Sequence, residues 1–497
     1  MSNNLSVSYH NNMFLKQILS KVSSCSIFGS ISNNIKSLSQ NSKNCTDHSL
    51  FFCISGTKVD GTKYIDDAIK NGAVAVVLEK TRQIFFEKSN LFIKYITYIF
   101  VDDVRKVMAI MSANFYGNPQ QKLKMIGITG TSGKTSTSYI IAQMLQSFNK
   151  KVGIIGTSGI FIGKRKYNAI LTTPDSIELF KILADMVKSK VEYCVMEVSA
   201  HAIFFDKTFG INWVTQVLTN VKTDHLDFFK TKENYGSVKQ KFFEKGNIFV
   251  VNGDDKIGKL IAKNYPQKAI TYGFHKQNNI QISKAKYEFL GSKFDLIFDK
   301  KRYSFSTNLV GKFNCYNFAC GVAVLQKLGF LIENIAKKQQ NFNILGRFSA
   351  FKYKNNCNVI VDYAHTTDSL KNLLLTIKSI STNKNIIVFG CPGERESQKR
   401  FEMGKLAAKF CEYVIITTDN PASENPRRIG FEILCGAKTY DTKCKFIEDR
   451  KLAIKKAFQI AKENTNILIV GKGSEIYQIV GDRKKPYCDF DEIKKYL

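Results

Sequence analysis

The twelve cysteines of this 497-residue chain include no C-x-x-C pair. That absence removes the usual sequence signature of a structural zinc site. Several cysteines stand in apolar, strand-like runs such as Tyr193-Cys194-Val195-Met196. They read as buried thiols in a reducing compartment, not as disulfides. Long apolar runs are missing too. The run around Leu91–Val101 is broken by Lys94, so no membrane insertion is expected. The polar N-terminus has no signal-peptide core, and a cytoplasmic location is the default expectation. There is no fixed-period repeat and no low-complexity segment. Acidic residues are scarce: 42 Asp and Glu face 73 Lys and Arg, for a net charge of +31. Two readings fit that excess, lysine-rich codon usage in an AT-rich genome or attraction to a polyanion. The lysines are scattered along the whole chain, and no RGG, zinc-finger or basic-arm segment stands out. No nucleic-acid partner is therefore expected.

A chain this long exceeds one hydrophobic core, so two to four domains are expected. An apolar content of 44% and a charged content of 23% are ordinary for a globular protein. Three blocks can be drawn. Residues 1–103 hold short strand-like runs, among them Ser49–Ser55 and Ala73–Leu78, and read as a smaller N-terminal α/β domain. Residues 104–344 open on an amphipathic helix, Val104–Phe115, and then alternate strand and helix patterns. Lys124–Thr129, Val152–Ile155, Val191–Val198, Val214–Leu218 and Ile248–Val251 are the buried-strand candidates. Residues 345–497 repeat the alternation from Val359–Tyr363 to Asn466–Val470. Such alternation predicts mostly parallel sheets with helices on both faces. The fold class is α/β, with a central doubly wound mononucleotide-binding sheet and a Rossmann-like sheet at the C-terminal end.

The strongest local signal is Gly127-Ile-Thr-Gly130-Thr131-Ser132-Gly133-Lys134-Thr135-Ser136, between a strand and a helix. Glycines let the backbone curl so that its N–H groups face an anion. The helix N-terminus adds its dipole. Lys134 can neutralise β- and γ-phosphates, and the Thr135 hydroxyl can ligate Mg²⁺. Ile128 holds the place of the first glycine in the general G-x-x-x-x-G-K-[ST] pattern. The loop alone permits a motor, a kinase, a GTPase or a ligase.

The loop Gly130–Ser136 resembles the Gly-Thr-x-Gly-Lys-Thr signature of Mur ligases. Further matches follow in the family's order: Thr172-Thr173-Pro174-Asp175, Met196–His201, Thr219–Asp227, Tyr235–Lys239, Gly311–Asn317, Gly346-Arg347, Val361–Thr366, Asp419-Asn420-Pro421-Ala422 and Gly471–Glu475. The Thr-Thr-Pro, Glu-Val-Ser and Gly-Lys-Gly elements resemble the family's tripeptide synthetases more than its sister ligases. The resemblance implies an ATP-dependent ligase of peptidoglycan synthesis, in cell wall biogenesis, working as a monomer. It would add the third residue, meso-diaminopimelate or L-lysine, to UDP-N-acetylmuramoyl-L-alanyl-D-glutamate through an acyl phosphate.

Roles follow residue by residue. Lys134, Glu197, His225 and Lys239 are implied to be catalytic. Thr135, Glu197, His225 and a carbamylated Lys239 are implied to hold Mg²⁺ at two sites. Gly130 to Ser136, Asn314, Asn317, Arg347 and Asp362 would bind ATP. Ser42, Thr172, Thr173, Ser199 and Lys207 would bind the UDP-sugar peptide. Arg395, Asp419, Asn420, Pro421, Ala422, Gly471 and Glu475 would bind the diamino acid, with Glu475 taking an amine. Asn314 and Asn317 would share one helix face, where a structural capping role is the alternative. The chain departs from the family in places. Lys207 stands where Arg is typical, a point charge in place of a bidentate fork. Ser349 replaces a frequent Glu. Ala422 stands where diaminopimelate enzymes typically carry an Arg that grips the distal carboxylate; either the substrate lacks that carboxylate or a nearby cation such as Arg427 or Arg428 substitutes. Two alternatives remain: a folylpolyglutamate-type ligase and a non-enzymatic P-loop module that binds RNA.

Overall fold

The computed structural model describes residues 12–56, 60–163, 165–338, 341–395 and 397–497. They divide into two compact units. The first comprises residues 1–130, 148–218 and 236–249, and the second residues 131–147, 219–235 and 250–497. No helix among the described residues is long and apolar enough to cross a membrane.

Besides the short pair Met13–Phe14 and Asn34–Ile35, the first unit holds strands of two larger sheets. In the smaller one, Thr97–Val101, Ala73–Glu79, Ser49–Phe52 and Ser37–Ser39 run parallel in that order, and Ser26–Phe28 pairs antiparallel with Thr97–Val101. Helix Val104–Phe115 lays Val104, Val107, Met108, Met111 and Phe115 into the core beneath this sheet, beside Leu50, Val77 and Ile99. Asp103 caps that helix by accepting from Lys106 N. In the larger sheet, Val152–Gly156, Tyr193–Glu197, Lys124–Thr129 and Trp213–Leu218 are parallel neighbours. Their apolar runs are buried on both faces, as parallel strands flanked by helices must be. Gly127 is required here by space, since a Cβ would lie 2.6 Å from Phe242 and 2.8 Å from Trp213.

Register places the chemistry. Glu197 pairs with Ile128, two residues before Gly130, and Leu218 pairs with Thr129. Both Glu197 and the phosphate loop therefore leave the sheet at the carboxyl ends of parallel strands, where doubly wound sheets bind ligands.

The second unit holds helix Lys134–Ser147 packed against helix Lys312–Lys327, with Gly321 facing Ile140 and Met144. It also carries an antiparallel meander, Ile280–Glu288, Gly291–Phe298 and Lys301–Thr307. A six-stranded sheet follows. Cys357–Asp362, Thr465–Val470, Lys384–Phe389, Tyr413–Ile416 and Lys443–Phe446 are parallel in that order, and Ser349–Tyr353 adds an antiparallel edge. Both faces of this sheet are covered, one by the cluster around Leu370, Leu374, Met403 and Ile433, the other by that around Ile454, Ala457 and Phe458.

Candidate active site

The phosphate loop is built by its glycines. Gly130 and Gly133 have φ of +147° and +87°, a region that side chains rarely adopt. At Gly133 space is also short, because a Cβ would sit 2.6 Å from Asn317 Oδ1. Asn220 clamps the loop from the neighbouring segment. Its carbonyl accepts from Thr131 N (2.8 Å), its Oδ1 accepts from Ser132 N (3.1 Å), and its Nδ2 donates to Ser132 O (2.9 Å). The Thr219 hydroxyl donates to the same carbonyl at 2.7 Å. Lys134 Nζ curls back to Thr131 O at 3.1 Å. Thr135 and Ser136 are nearly buried on the first turn of the helix.

Asn314 and Asn317 share one face of helix Lys312–Lys327 and are buried. Asn314 Nδ2 donates to Val310 O at 3.0 Å, and Asn317 Nδ2 donates to Asn314 Oδ1 at 3.2 Å. Asn317 Oδ1 accepts from the Thr137 hydroxyl at 3.2 Å. The pair thus braces the helix that follows the phosphate loop.

Arg347 reaches that loop from the C-terminal half of the chain. Its Nη2 donates to the Thr135 hydroxyl at 3.3 Å, and its guanidinium lies 4.3 Å over the Tyr363 ring. Asp362 shapes the backbone around Arg347 by accepting from Phe348 N at 2.7 Å and Ala364 N at 2.8 Å. Burial pushes the Asp362 carboxyl up from its ordinary value, against the opposing pull of Arg347 and of those amides. A cleft of about 280 Å³ opens beside them, lined by Phe289, Asn314, Phe342, Arg347, Phe348 and Phe351.

His365, which follows in the same stretch, hydrogen-bonds Tyr363 O through Nδ1 at 2.9 Å. Burial lowers its pKa to about 4. The unfolded chain, near 6.5, then carries the extra proton between the two values. Stability should fall as pH drops from about 6.5 toward 4, by about 1.4 kcal/mol per unit in that window. A His365→Gln variant is expected to flatten the fall in denaturant midpoint between pH 7 and pH 5. Identical slopes in the two proteins would remove His365 as its source.

In the first unit, Glu197 is 1% exposed. Its carboxylate accepts from Thr157 N at 3.0 Å and from the Thr157 hydroxyl at 3.2 Å. Among the described residues no cation pairs with it. The Thr173 hydroxyl donates to Glu197 O (2.9 Å) and accepts from Ser199 N (3.0 Å), which ties the Thr-Thr-Pro turn to the strand end. The Thr172 and Thr157 hydroxyls lie 3.0 Å apart. Ser199 caps the helix Ala200–Phe204. Lys207 pairs with Asp175 at 2.6 Å, and Gln40 donates to the same carboxylate at 3.1 Å. The latter bond brings the turn containing the buried Ser42 to the Thr172–Asp175 segment. Lys239, on helix Lys232–Lys241, is 1% exposed and donates to Gly130 O at 3.1 Å. A helix lysine is ordinarily solvated; this one points at the phosphate loop. In the second unit, His225 has φ +54° and its Nε2 lies 3.6 Å from Asp224 Oδ2. Its ring lies 6.2 Å from that of Tyr235, whose hydroxyl accepts from Thr131 Oγ1 at 3.4 Å.

Of the positions expected to take the amino acid, Asp419 to Ala422 follow Tyr413–Ile416, Gly471 and Glu475 follow Thr465–Val470, and Arg395 follows Lys384–Phe389. Asp419 is 4% exposed, and Asn420 Nδ2 donates to Glu475 Oε2 at 3.1 Å. The Gly471 turn has φ +112°. Pro421 is buried, and Ala422 has φ +51° and bridges to Val480. Arg395 is exposed. Lys472 and Tyr363 were not singled out in the sequence, yet both touch Glu475.

Family models match most of the chain. The description "Mur ligase family, catalytic domain" fits residues 34–116, "Mur ligase middle domain" fits 128–325, and "Mur ligase, glutamate ligase domain" fits 346–473. The chain is 38% identical over 488 residues to a UDP-N-acetylmuramoyl-L-alanyl-D-glutamate–2,6-diaminopimelate ligase of Clostridium acetobutylicum, covering 98% of this chain and 99% of that one. A solved structure bearing the same enzyme name superposes with a TM-score of 0.66 at 25% identity, covering 98% of both chains. A folylpolyglutamate synthase of Mycobacterium tuberculosis shares the fold, with a TM-score of 0.62 at 14% identity over 74% of this chain and 92% of that one. A three-domain α/β fold with this phosphate loop defines an ATP-dependent ligase that joins an acid to an amino acid. The chain belongs to the Mur ligase family. Its likeness to the folylpolyglutamate enzyme is one of fold, and membership in a ligase family sets aside the non-enzymatic RNA-binding alternative.

Proposed function

We propose that the chain adds 2,6-diaminopimelate to UDP-N-acetylmuramoyl-L-alanyl-D-glutamate in peptidoglycan synthesis. The observation that carries this reading is the full-length match to a ligase of that name, on a chain whose phosphate loop is intact in sequence and geometry. Residues 1–103 would take the UDP-sugar, 104–344 the ATP and 345–497 the amino acid. Both nucleotide substrates belong to the cytoplasm, which is where we place the reaction.

The side-chain carboxylate of D-Glu attacks the γ-phosphorus of ATP, and ADP leaves. The amine of the diamino acid then attacks the acyl carbonyl, phosphate departs with the carboxylate oxygen, and the amine loses its proton. Little covalent chemistry falls to the protein, which positions the groups and offsets charge. Loop amides from Gly130 to Ser136 and Lys134 face the phosphates. Arg347 and Asp362 hold the nucleotide from the C-terminal half, and the aromatic-lined cleft beside Asn314 suits a planar base. Ser42, Thr172, Thr173, Ser199 and Lys207 offer hydroxyls and one cation to the UDP-sugar peptide. Arg395 and the Asp419–Ala422 and Gly471–Glu475 turns receive the amino acid.

The residues fit magnesium. Glu197 is a buried carboxylate without a cationic partner among the described residues, and such a charge needs compensation. No group of three or more His, Cys, Asp or Glu side chains forms a protein-only cage among those residues. Mg²⁺ characteristically binds through one or two carboxylates together with substrate phosphates. Glu197 and Lys239 as its carbamate in the first unit, and Thr135 and His225 in the second, are the side chains that would offer it ligands, and it would screen the repulsion between ATP and a carboxylate. Carbamylation would convert the buried Lys239 amine to an anion able to orient the metal.

L-Lysine as third residue is the second reading, and Ala422 favours it, because a methyl group cannot grip a distal carboxylate. Phosphate release with the UDP-dipeptide should be measured with each diamino acid in parallel. Faster turnover with diaminopimelate supports the first reading and faster turnover with lysine the second; silence with both removes the ligase assignment.

A further inference from the structure

We infer that Lys472 is a positioning residue for the amino-acid substrate, its buried ammonium holding Glu475 and Asn420 in the arrangement that receives a cationic amine. This rests on the ligase reading above and names the device that presents the amine site.

Lys472 has no exposed surface. Its Nζ donates to Glu475 Oε2 at 2.9 Å and to Asn420 Oδ1 at 3.0 Å, and lies 3.7 Å from Asp419 Oδ1. An ammonium has three donors; two are spent on Glu475 and Asn420, and Asp419 adds an ion pair beyond hydrogen-bond length. Buried without exposed surface, Lys472 acts on a ligand through these neighbours. Its burial is set by the two flanking glycines. Gly471 has φ +112°, and a Cβ there would lie 2.7 Å from Asp419 Oδ2. Gly473 has φ +53°, and a Cβ there would lie 2.7 Å from Gly346 O. Side chains at either place would push the turn outward and carry Lys472 with it.

Charge gives the turn its direction. Two carboxylates, Asp419 and Glu475, share one ammonium, which leaves one negative charge in excess. Asp419 is closed off with its side chain 5% exposed, while that of Glu475 is 21% exposed. The excess therefore presents itself at Glu475. That carboxylate is fixed from three sides, by Lys472, by Asn420 Nδ2 at 3.1 Å and by the Tyr363 hydroxyl at 3.3 Å. Asn420 is itself fixed, since its Oδ1 accepts from Ile479 N at 3.0 Å and its carbonyl from Gly393 N at 2.9 Å. A preorganised, half-open carboxylate with a negative excess matches the ammonium of a diamino acid.

The test is steady-state phosphate release by the full chain with ATP, the UDP-dipeptide and the preferred diamino acid. Lys472→Met should raise KM for the diamino acid roughly tenfold or more, with KM for ATP and for the dipeptide changed less than about twofold. Glu475→Gln should do the same, and adding Lys472→Met to it should cost little more, because both changes remove one device. Lys472→Arg keeps the charge but misplaces it, and should raise the amino-acid KM alone; it serves if the methionine variant does not fold. An unchanged amino-acid KM in the arginine or methionine variant, additive effects in the double variant, or an equal rise in all three KM values would overturn the inference while leaving the ligase reading intact. A wild-type chain silent with every diamino acid would overturn both.

Discussion

Replacing Lys134 by alanine is expected to lower kcat/KM for ligation roughly 10³-fold, the scale of losing one preorganised charge-stabilising group. Lys134 is the cation of the phosphate loop, and its amine already lies 3.1 Å from the loop carbonyl of Thr131. It is thus held over the curl whose amides face the phosphates. Charge accumulates on the transferred phosphoryl group in the transition state, so the loss should fall mainly on kcat. The loop itself should survive the change. Its shape is held by Asn220 and Thr219 and by the backbone freedom of Gly130 and Gly133. Circular dichroism and melting temperature should accordingly stay near those of the parent while phosphate release collapses. Retention of full activity would remove the loop from the chemistry.

The second large effect is expected at Glu197. A glutamine there keeps the shape and can still accept from Thr157, so folding should be preserved. What disappears is the buried negative charge. If that charge holds Mg²⁺ beside the nucleotide, activity at low magnesium should drop on the order of 10²-fold, the upper range seen when support of a metal site is lost. Part of the loss should return as magnesium is raised. The informative readout is the magnesium concentration at half-maximal rate, which should rise several-fold or more in Glu197→Gln. A variant with a lowered rate but an unmoved magnesium dependence would leave Glu197 as a brace for the Thr157 and Thr173 turns only.

The legible parts of the sequence are those in which local chemistry dictates local shape. Gly130-Thr-Ser-Gly-Lys-Thr could be read because a tight turn between a buried strand and a helix admits few residue types. The buried parallel strands could be read because their apolar runs are continuous. The antiparallel meander from Ile280 to Thr307 was not marked out, since its exposed positions carry many lysines and little of its length is wholly apolar. Helix Pro426–Ala437 and edge strand Lys443–Phe446 escaped for a similar reason, the latter being short and half solvated. At the site, sequence resemblance named Glu475 and Asn420 but not Lys472 and Tyr363, which also hold Glu475. A lysine between two glycines reads as solvated. Only folding shows that Asp419 and Asn420, some fifty residues away, close over it. Asn314 and Asn317 show the converse. Their helical spacing was visible, but their bracing of Thr137 and Gly133 depends on which helix packs against which.

The central claim is that the chain activates the D-Glu side chain as an acyl phosphate. The most direct measurement uses UDP-dipeptide carrying ¹⁸O in that carboxylate, together with ATP and the diamino acid, and mass analysis of the phosphate released. The account predicts one ¹⁸O in each phosphate, transferred when the amine displaces it from the acyl carbon. Phosphate free of the label, released as peptide forms, would contradict it.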